Sequence, residues 1–270
     1  MFNQWRRFQF FDKELVKGED GQGPHPDLEK LQITAAASGK GQTIFGDEDG
    51  CITLCDRKFQ LCKFQAFERR VCLLYQLQQQ NILVSVGEDH HCQKVKVWNL
   101  DKTDRDTDGF LTVLSKDVFE GLTLARCAAT CVTATEGLSL IAIGLQSGSV
   151  VLVQGDVQHN KASSRVLNCS PGFPIVAFGV HTIGAETWFL VATTSRVVSF
   201  QNLRQESLEV LDEQGCANGT ATYTDEHELI VGRQEALYCF NKDGRGATYA
   251  FEGTKILLAH MRGYLLVVTA

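Results

Sequence analysis

No stretch of this chain approaches the roughly 20 apolar residues that a membrane-spanning helix needs. Its opening residues, Met1-Phe-Asn-Gln-Trp-Arg-Arg7, contain no apolar core of a secretory signal. Basic residues are not in excess: 26 Lys and Arg face 32 Asp and Glu, a net charge of −6. That balance argues against nonspecific nucleic-acid binding and against a polybasic membrane patch. The pairs Arg6-Arg7 and Arg69-Arg70 are too short to reverse it. Proline is scarce, with four in 270 residues, and two of them fall in Gly18–Pro26, a polar segment that reads as a loop. No helix of useful length is apparent. Phe67–Leu77 fits one by spacing, but the repeat described next makes it a strand. The ten cysteines include no paired CxxC. Cys51, Cys55, Cys72, Cys131 and Cys239 sit inside apolar strand patterns and read as buried thiols of a cytosolic protein. Asn168-Cys-Ser170 and Asn218-Gly-Thr220 match the glycosylation pattern, which means little without a secretory route.

What the chain does have is a pattern of strands that recurs six times. Thr43-Ile-Phe-Gly46-Asp-Glu-Asp-Gly50-Cys-Ile-Thr-Leu54 matches Ile141-Ala-Ile-Gly144-Leu-Gln-Ser-Gly148-Ser-Val-Val-Leu152. An apolar strand ends on a small residue, a tight turn follows, and a β-rich strand returns. Gly46, Gly87, Gly144, Thr193 and Gly232 mark the ends of the second strands, with a last copy ending near Thr269. The spacing is about 40–60 residues, against roughly 40–45 for one blade of a β-propeller. The longest interval is assigned to a polar insertion, Asp101–Gly109. The second copy reads Val71–Tyr75, Asn81–Val86 and Lys94–Leu100, with the near-alternation of strands buried on one side. Its Val97-Trp98-Asn99 stands where tryptophan–aspartate repeats place their namesake pair.

The expected fold is therefore all-β, a WD40-like propeller of about five and a half blades out of seven, forming one domain over 1–270. Residues 1–17 hold an N-terminal strand (Arg7–Phe11), 18–30 a flexible loop, and 31–270 the blades. The sixth copy stops after two strands, Lys255–His260 and Tyr264–Val268. A propeller closes by pairing its last blade with its first, and open sheet edges invite association. The chain reads as a fragment of a longer propeller, with its open edge near Tyr264–Val268 prone to self-association.

Several segments resemble chemical motifs and fall short. Asp104-Arg-Asp-Thr-Asp-Gly109 opens like a calcium loop, but the position for the closing carboxylate is Ser115 and the flanks are strands. Glu88-Asp-His-His-Cys92 groups five potential ligands on one turn, where they cannot converge on one ion. Cys51/Cys55 and Cys127/Cys131 stand four apart on strands, about 13 Å by the strand rise. Ser38-Gly-Lys-Gly-Gln-Thr43 lacks the order of a phosphate loop and reads as a hairpin. Gly144-Leu-Gln-Ser-Gly148 misplaces the serine of a nucleophile elbow. Asp47, Glu48 and Asp49 read as turn formers. No catalytic, metal or cofactor residue is assigned, and partner-binding residues are left open.

Gln4-Trp-Arg-Arg-Phe8 and Phe11–Val16, then Leu74–Leu77, Asn81–Asp89, Val97–Leu100, Ala142–Gly144 with Gly148–Val150, Ala250–Gly253 and Arg262–Leu265, resemble in order the family of vacuolar protein sorting-associated protein 11. In that family an N-terminal propeller precedes an α-solenoid and a zinc-binding RING domain, and the protein is a core subunit of the HOPS and CORVET tethers. The resemblance implies the propeller module alone, because no solenoid or RING spacing is present here. It implies a non-catalytic scaffold in vesicle-mediated transport, located in the cytoplasm at late endosome, lysosome or vacuole membranes. Its implied partners are other HOPS/CORVET subunits, endosomal small GTPases or SNAREs, with no nucleic acid, no cofactor, and only indirect membrane association. The rival readings are a cytosolic propeller adaptor of a coat or signalling complex and, more remotely, a propeller enzyme with polar groups at its central channel.

Overall fold

The computed structural model describes residues 16–18, 25–90, 92–104, 109–159, 161–184, 186–261 and 263–270. Five four-stranded antiparallel sheets follow one another, and a two-stranded sheet comes last. Blade 1 is β1 (Ile33–Gly39), β2 (Gln42–Asp47), β3 (Cys51–Cys55) and β4 (Leu61–Gln65). Blade 2 is β5 (Val71–Gln76), β6 (Ile82–Asp89), β7 (Cys92–Thr103) and β8 (Phe110–Asp117). Blade 3 is β9 (Ala129–Ala134), β10 (Leu140–Leu145), β11 (Ser149–Asp156) and β12 (Lys161–Asn168). Blade 4 is β13 (Ile175–Ile183), β14 (Glu186–Thr193), β15 (Val197–Gln201) and β16 (Glu209–Asp212). Blade 5 is β17 (Ala221–Tyr223), β18 (Leu229–Gly232), β19 (Ala236–Asn241) and β20 (Gly244–Ala250), and the final hairpin is β21 (Lys255–Met261) with β22 (Tyr264–Thr269).

Strands in each blade are ordered as in the sequence. The first strands pack in succession, β1 on β5, β5 on β9, β9 on β13, β13 on β17 and β17 on β21. No comparable packing joins β21 to β1 among the described residues. This is a propeller arc of five blades and a half, as the repeat predicted. Each full copy, however, has four strands where three were legible. The fourth strands β4, β8 and β20 alternate irregularly, and β4 and β20 are largely exposed. With little apolar surface to bury, they leave a weak periodic signal.

Two further expectations change. Asp101–Thr103 is not loop but the end of β7, with Thr103 opposite Phe110. Part of the long second interval is the segment 118–128 that links blade 2 to blade 3. The loop expected over 18–30 contains a one-turn helix, α1 (Pro26–Glu29), with proline in its first turn and His25 Nδ1 accepting from the Asp27 amide at 3.3 Å. Residues from this segment line a cavity of about 460 Å³ with Asp47, Thr53, Leu61 and Lys63 of blade 1. Thr53 Oγ1, though buried, has no hydrogen-bond partner there. The N-terminal strand expected at Arg7–Phe11 lies outside the described residues.

The core is a series of apolar seams between neighbouring blades. Ile44, Ile52, Phe64, Leu83 and Trp98 fill the first, and Val84, Val95, Ile141 and Val151 lie in the second. Trp98 meets Phe64 edge to face at 5.1 Å, and its Nε1 donates to Ser85 Oγ at 2.8 Å. A buried indole thus keeps its polar handle satisfied.

Glycine at the end of a second strand permits the seams to close. A Cβ on Gly46 would stand 2.5 Å from Val71, the first residue of β5. On Gly144 it would stand 2.8 Å from Ile175, the first residue of β13, and 2.5 Å from Cys131 Sγ. Blade 4 has Thr193 at this position; its Oγ1 accepts from the Arg196 amide at 2.9 Å, binding the turn that follows. The second glycine of the repeat has a separate reason. Gly50 and Gly148 sit at φ 81° and 84°, the region L-residues avoid. Their carbonyls each accept two amides of the next crossover: Ala66 and Phe67, then Cys169 and Ser170.

Gly144→Val should therefore overpack a seam and cost about 1–3 kcal/mol, read as a lower midpoint in thermal or urea unfolding. Gly137→Ala, where an added Cβ meets nothing within 4 Å, should change the midpoint little.

Candidate functional site

The sequential antiparallel order sorts the loops onto two faces. Turns between first and second strands and between third and fourth strands lie on one face, the turn face. Turns between second and third strands lie on the other with the blade-to-blade connections, the crossover face.

On the crossover face, Glu88–Cys92 forms the β6–β7 turn. Asp89 is buried and holds it together: Oδ1 accepts the Glu68 amide at 2.9 Å, and Oδ2 lies 2.7 Å from Lys96 Nζ and 3.4 Å from Lys94 Nζ. Burial alone would raise the Asp89 pKa. The Lys96 hydrogen bond, the amide and the two ammonium charges outweigh it and hold the carboxyl below its ordinary value. Lys96 also donates to the Ala66 carbonyl at 2.7 Å and lies over the Phe67 ring at 4.5 Å. His90 is paired with Glu68 at 2.6 Å, and Cys92 Sγ contacts the Asp89 carbonyl at 3.3 Å. These side chains tie blade 2 to the preceding crossover and do not converge. Asp47 plays the same part in blade 1, accepting from the Asp49 and Cys51 amides and pairing with Lys63 at 3.2 Å.

The other candidates are placed as follows. Ser38–Thr43 is the β1–β2 hairpin, with Lys40 and Gly41 both at positive φ, the geometry of a type I′ turn. Cys51 and Cys55 share β3, where Cys55 is buried and Cys51 Sγ meets Gln65 Oε1 at 3.2 Å. Cys131 lies against Gly144, and burial pushes its thiol up to about 12. Most of the acidic loop 104–109 lies outside the described residues; Ser115 lies on β8 opposite Lys96. Gly144–Gly148 is the β10–β11 turn. Among the described residues no group of three or more His, Cys, Asp or Glu could hold a metal ion, and no helix is long and apolar enough to cross a membrane.

Two open cavities mark the faces. One of about 370 Å³ on the crossover face is lined by Arg69, Glu88, His90, Cys92, Phe119 and Arg126. Arg126 reaches Asp117 at 2.8 Å and stacks on Phe119 at 5.8 Å. The other, about 470 Å³ on the turn face, is lined by Lys40, Gln79, Gln80, Asn81, Asn99 and Asp101. Nearby, Glu136 of blade 3 accepts the Gln78 and Gln79 amides of blade 2 at 2.8 and 2.9 Å. Both cavities are polar, mixed in charge, and built from several segments. Glu88, His90 and Cys92 of the first belong to the cluster noted in the sequence, but its partners Arg69, Phe119 and Arg126, and the second cavity, were not read from it. Exposed Phe59 and Phe173 add one aromatic to each face. Such surfaces suit protein contacts, where aromatic and arginine anchors dominate.

The profile of the PEP5/VPS11 N-terminal family matches residues 5–270. The chain belongs to this family. It is 34% identical to a vacuolar protein sorting-associated protein 11 homolog of Dictyostelium discoideum over 98% of this chain and 28% of that protein. The homologs of Mus musculus and Homo sapiens are 36% and 35% identical over 98% of this chain and 30% of theirs. The chain thus spans under a third of the length of these relatives. Among solved structures, the computationally designed Ika8 protein superposes with a TM-score of 0.60 at 15% identity, covering 88% of this chain and 68% of that one. At that identity the match speaks to fold only.

The Asp89 cluster gives a test. Its folded pKa lies below the unfolded value, so its stabilisation is full above about pH 4 and drains as pH falls through the folded pKa. Asp89→Asn should flatten stability over that acid range in urea titrations. Lys96→Met leaves a buried carboxylate poorly compensated and should cost about 2–4 kcal/mol near neutral pH. Adding Asp89→Asn should recover part of that loss.

Proposed function

We propose that this chain is the N-terminal propeller of a HOPS/CORVET tethering subunit, a non-catalytic interaction module in endosome–lysosome or vacuole fusion. The observation that carries it is the family match over residues 5–270, supported by relatives that align along nearly the whole chain. The physical features fit the role. Five blades locked by buried seams make a rigid platform, and rigid scaffolds presenting loops suit recognition. Its partners are other subunits of the tethers, with endosomal small GTPases or SNAREs as further contacts. It works in the cytoplasm and reaches late endosomal, lysosomal or vacuolar membranes through the complex.

Three histidines serve in local acid pairs. His90, His159 and His260 pair with Glu68, Asp156 and Asp225.

The test is affinity or proximity capture of the tagged chain from cells, read by mass spectrometry with fractionation of endosomes and lysosomes. HOPS or CORVET subunits should be enriched, in the late endosomal and lysosomal fractions. Enrichment of coat or signalling-scaffold subunits instead would favour the adaptor reading. Chaperones alone would count against both.

A further inference from the structure

The turn between β17 and β18, residues 224–228, holds a histidine in a backbone conformation that favours glycine. His227 sits at φ 65°, and its amide donates to the Thr224 carbonyl at 3.1 Å. The turn between β9 and β10 opens the same way. There Leu138 sits at φ 50° and donates to the Thr135 carbonyl at 2.8 Å. Leu138 is buried in the apolar cluster that joins blades 2 and 3. The left-handed residue of that turn thus packs back on the preceding blade. A non-glycine residue in this conformation persists only where its surroundings hold it.

In blade 5 a second histidine does the holding. The His227 ring lies over that of His181, on β13 of blade 4, with centroids 3.8 Å apart and planes tilted by 31°. Tyr223, at the end of β17, lies 6.3 Å from His227. Four elements place charged groups around the stack. Lys242 of the β19–β20 turn pairs with Asp243 at 2.7 Å. Asp225 and Glu226 flank His227 in its own turn, and Asp225 is engaged by His260 of β21 at 3.8 Å. Glu228 acts on Cys239. On β14, Trp188 stands opposite His181, and Glu186 lies two residues further along. Burial first, then His227 and Lys242, hold the His181 ring below the ordinary imidazole value.

We propose that the His181–His227 stack is a pH-sensitive latch between blades 4 and 5, closed while the rings are neutral and released when both carry a proton. Two neutral imidazoles stack as aromatic rings do. Two imidazolium rings with centroids 3.8 Å apart repel. Histidine is the side chain whose ordinary pKa puts that change near neutral pH. Leu138, in the matching turn of blade 3, has no proton to gain, so the response belongs to the junction of blades 4 and 5. The folded His181 value lies below the unfolded one. Its stabilisation is therefore complete above about pH 6.5 and is lost as pH falls through the folded value. That window lies above the range, below about pH 4, in which Asp89 acts, so one titration separates the two.

The experiment is urea unfolding of the 270-residue chain at several pH values between about 7.5 and 5.5. Hydrogen–deuterium exchange at the two ends of the range is compared as protection factors. The wild-type midpoint should fall across this range, and protection should be lost first in 224–228 and at the end of β13. His227→Leu gives this turn the residue type that blade 3 carries at φ 50°, so the backbone accepts it. It should abolish most of the fall. His181→Phe keeps a ring beneath His227 and should flatten the profile likewise, which keeps the test informative if His227→Leu disturbs folding. His159→Gln, in the Asp156 pair of blade 3, should retain the wild-type slope. A flat wild-type profile would overturn the proposal. So would a slope that persists in both His181→Phe and His227→Leu, or a loss of protection that begins outside blades 4 and 5.

Discussion

A blade has two apolar faces and cannot bury either by itself, so every blade depends on how closely the next one approaches. That approach is set where a second strand ends and the neighbouring first strand begins. At Gly46 and Gly144 the missing Cβ is the space taken by Val71 and Ile175. Any side chain there would push the blades apart and open a gap along the seam. Dispersion falls off steeply with even a fraction of an ångström of separation. The seams contain whole layers, such as Phe178, Phe189 and Phe200 between blades 3 and 4. A local steric condition therefore governs burial worth about 1.5–3 kcal/mol for each large side chain. The second glycine serves the same end from the crossover side, since the carbonyls of Gly50 and Gly148 fix where the chain departs for the next blade.

This constraint also explains what could be read from the chain before any coordinates. First, second and third strands contribute to buried seams, so they carry continuous apolar runs and glycine marks, and their register was legible. Trp98 was legible as a repeat landmark, and its bond to Ser85 shows why an indole is used there. Fourth strands such as Gly244–Ala250 lie at the rim with one half-buried residue and six exposed ones. Their pairing is set by the hairpin and by β19, not by their own pattern. The Asp89–Lys96 contact was illegible for another reason. It joins a turn, a third strand and the preceding crossover, and nothing in Glu88–Cys92 itself distinguishes a buried staple from a ligand cluster.

The same distinction separates the two faces. Crossover-face turns are held from within the fold: Asp47 and Asp89 bind backbone amides, and Arg196 reaches the Cys169 carbonyl at 2.7 Å. Turn-face loops rely more on local bonds, such as Asn202 Oδ1 accepting the Thr187 amide and Thr135 Oγ1 accepting the Leu140 amide. Contacts that cross blades there are Glu136 with the Gln78 and Gln79 amides, the His181 and His227 rings at 3.8 Å, and His260 with Asp225 at 3.8 Å. A loop tied only to its own hairpin, such as Asn202 with Thr187, can change sequence without disturbing a seam, so recognition can vary at such loops at little cost to stability.

The cysteines follow from this logic. A thiol becomes a nucleophile or ligand as the thiolate, and burial opposes that form. It pushes Cys131 up to about 12 and Cys72, Cys216 and Cys239 up to about 11. For Cys72 and Cys239 the nearby carboxylates Glu88 and Glu228 add to the effect. At neutral pH these four remain thiols and act as small apolar groups. Cys131 shows the use most directly: its sulfur occupies the hollow at Gly144 in the seam between blades 3 and 4. A valine or leucine would crowd that hollow, and an alanine would leave part of it empty. Cysteine fits there by volume, and the thiols belong to the packing between blades.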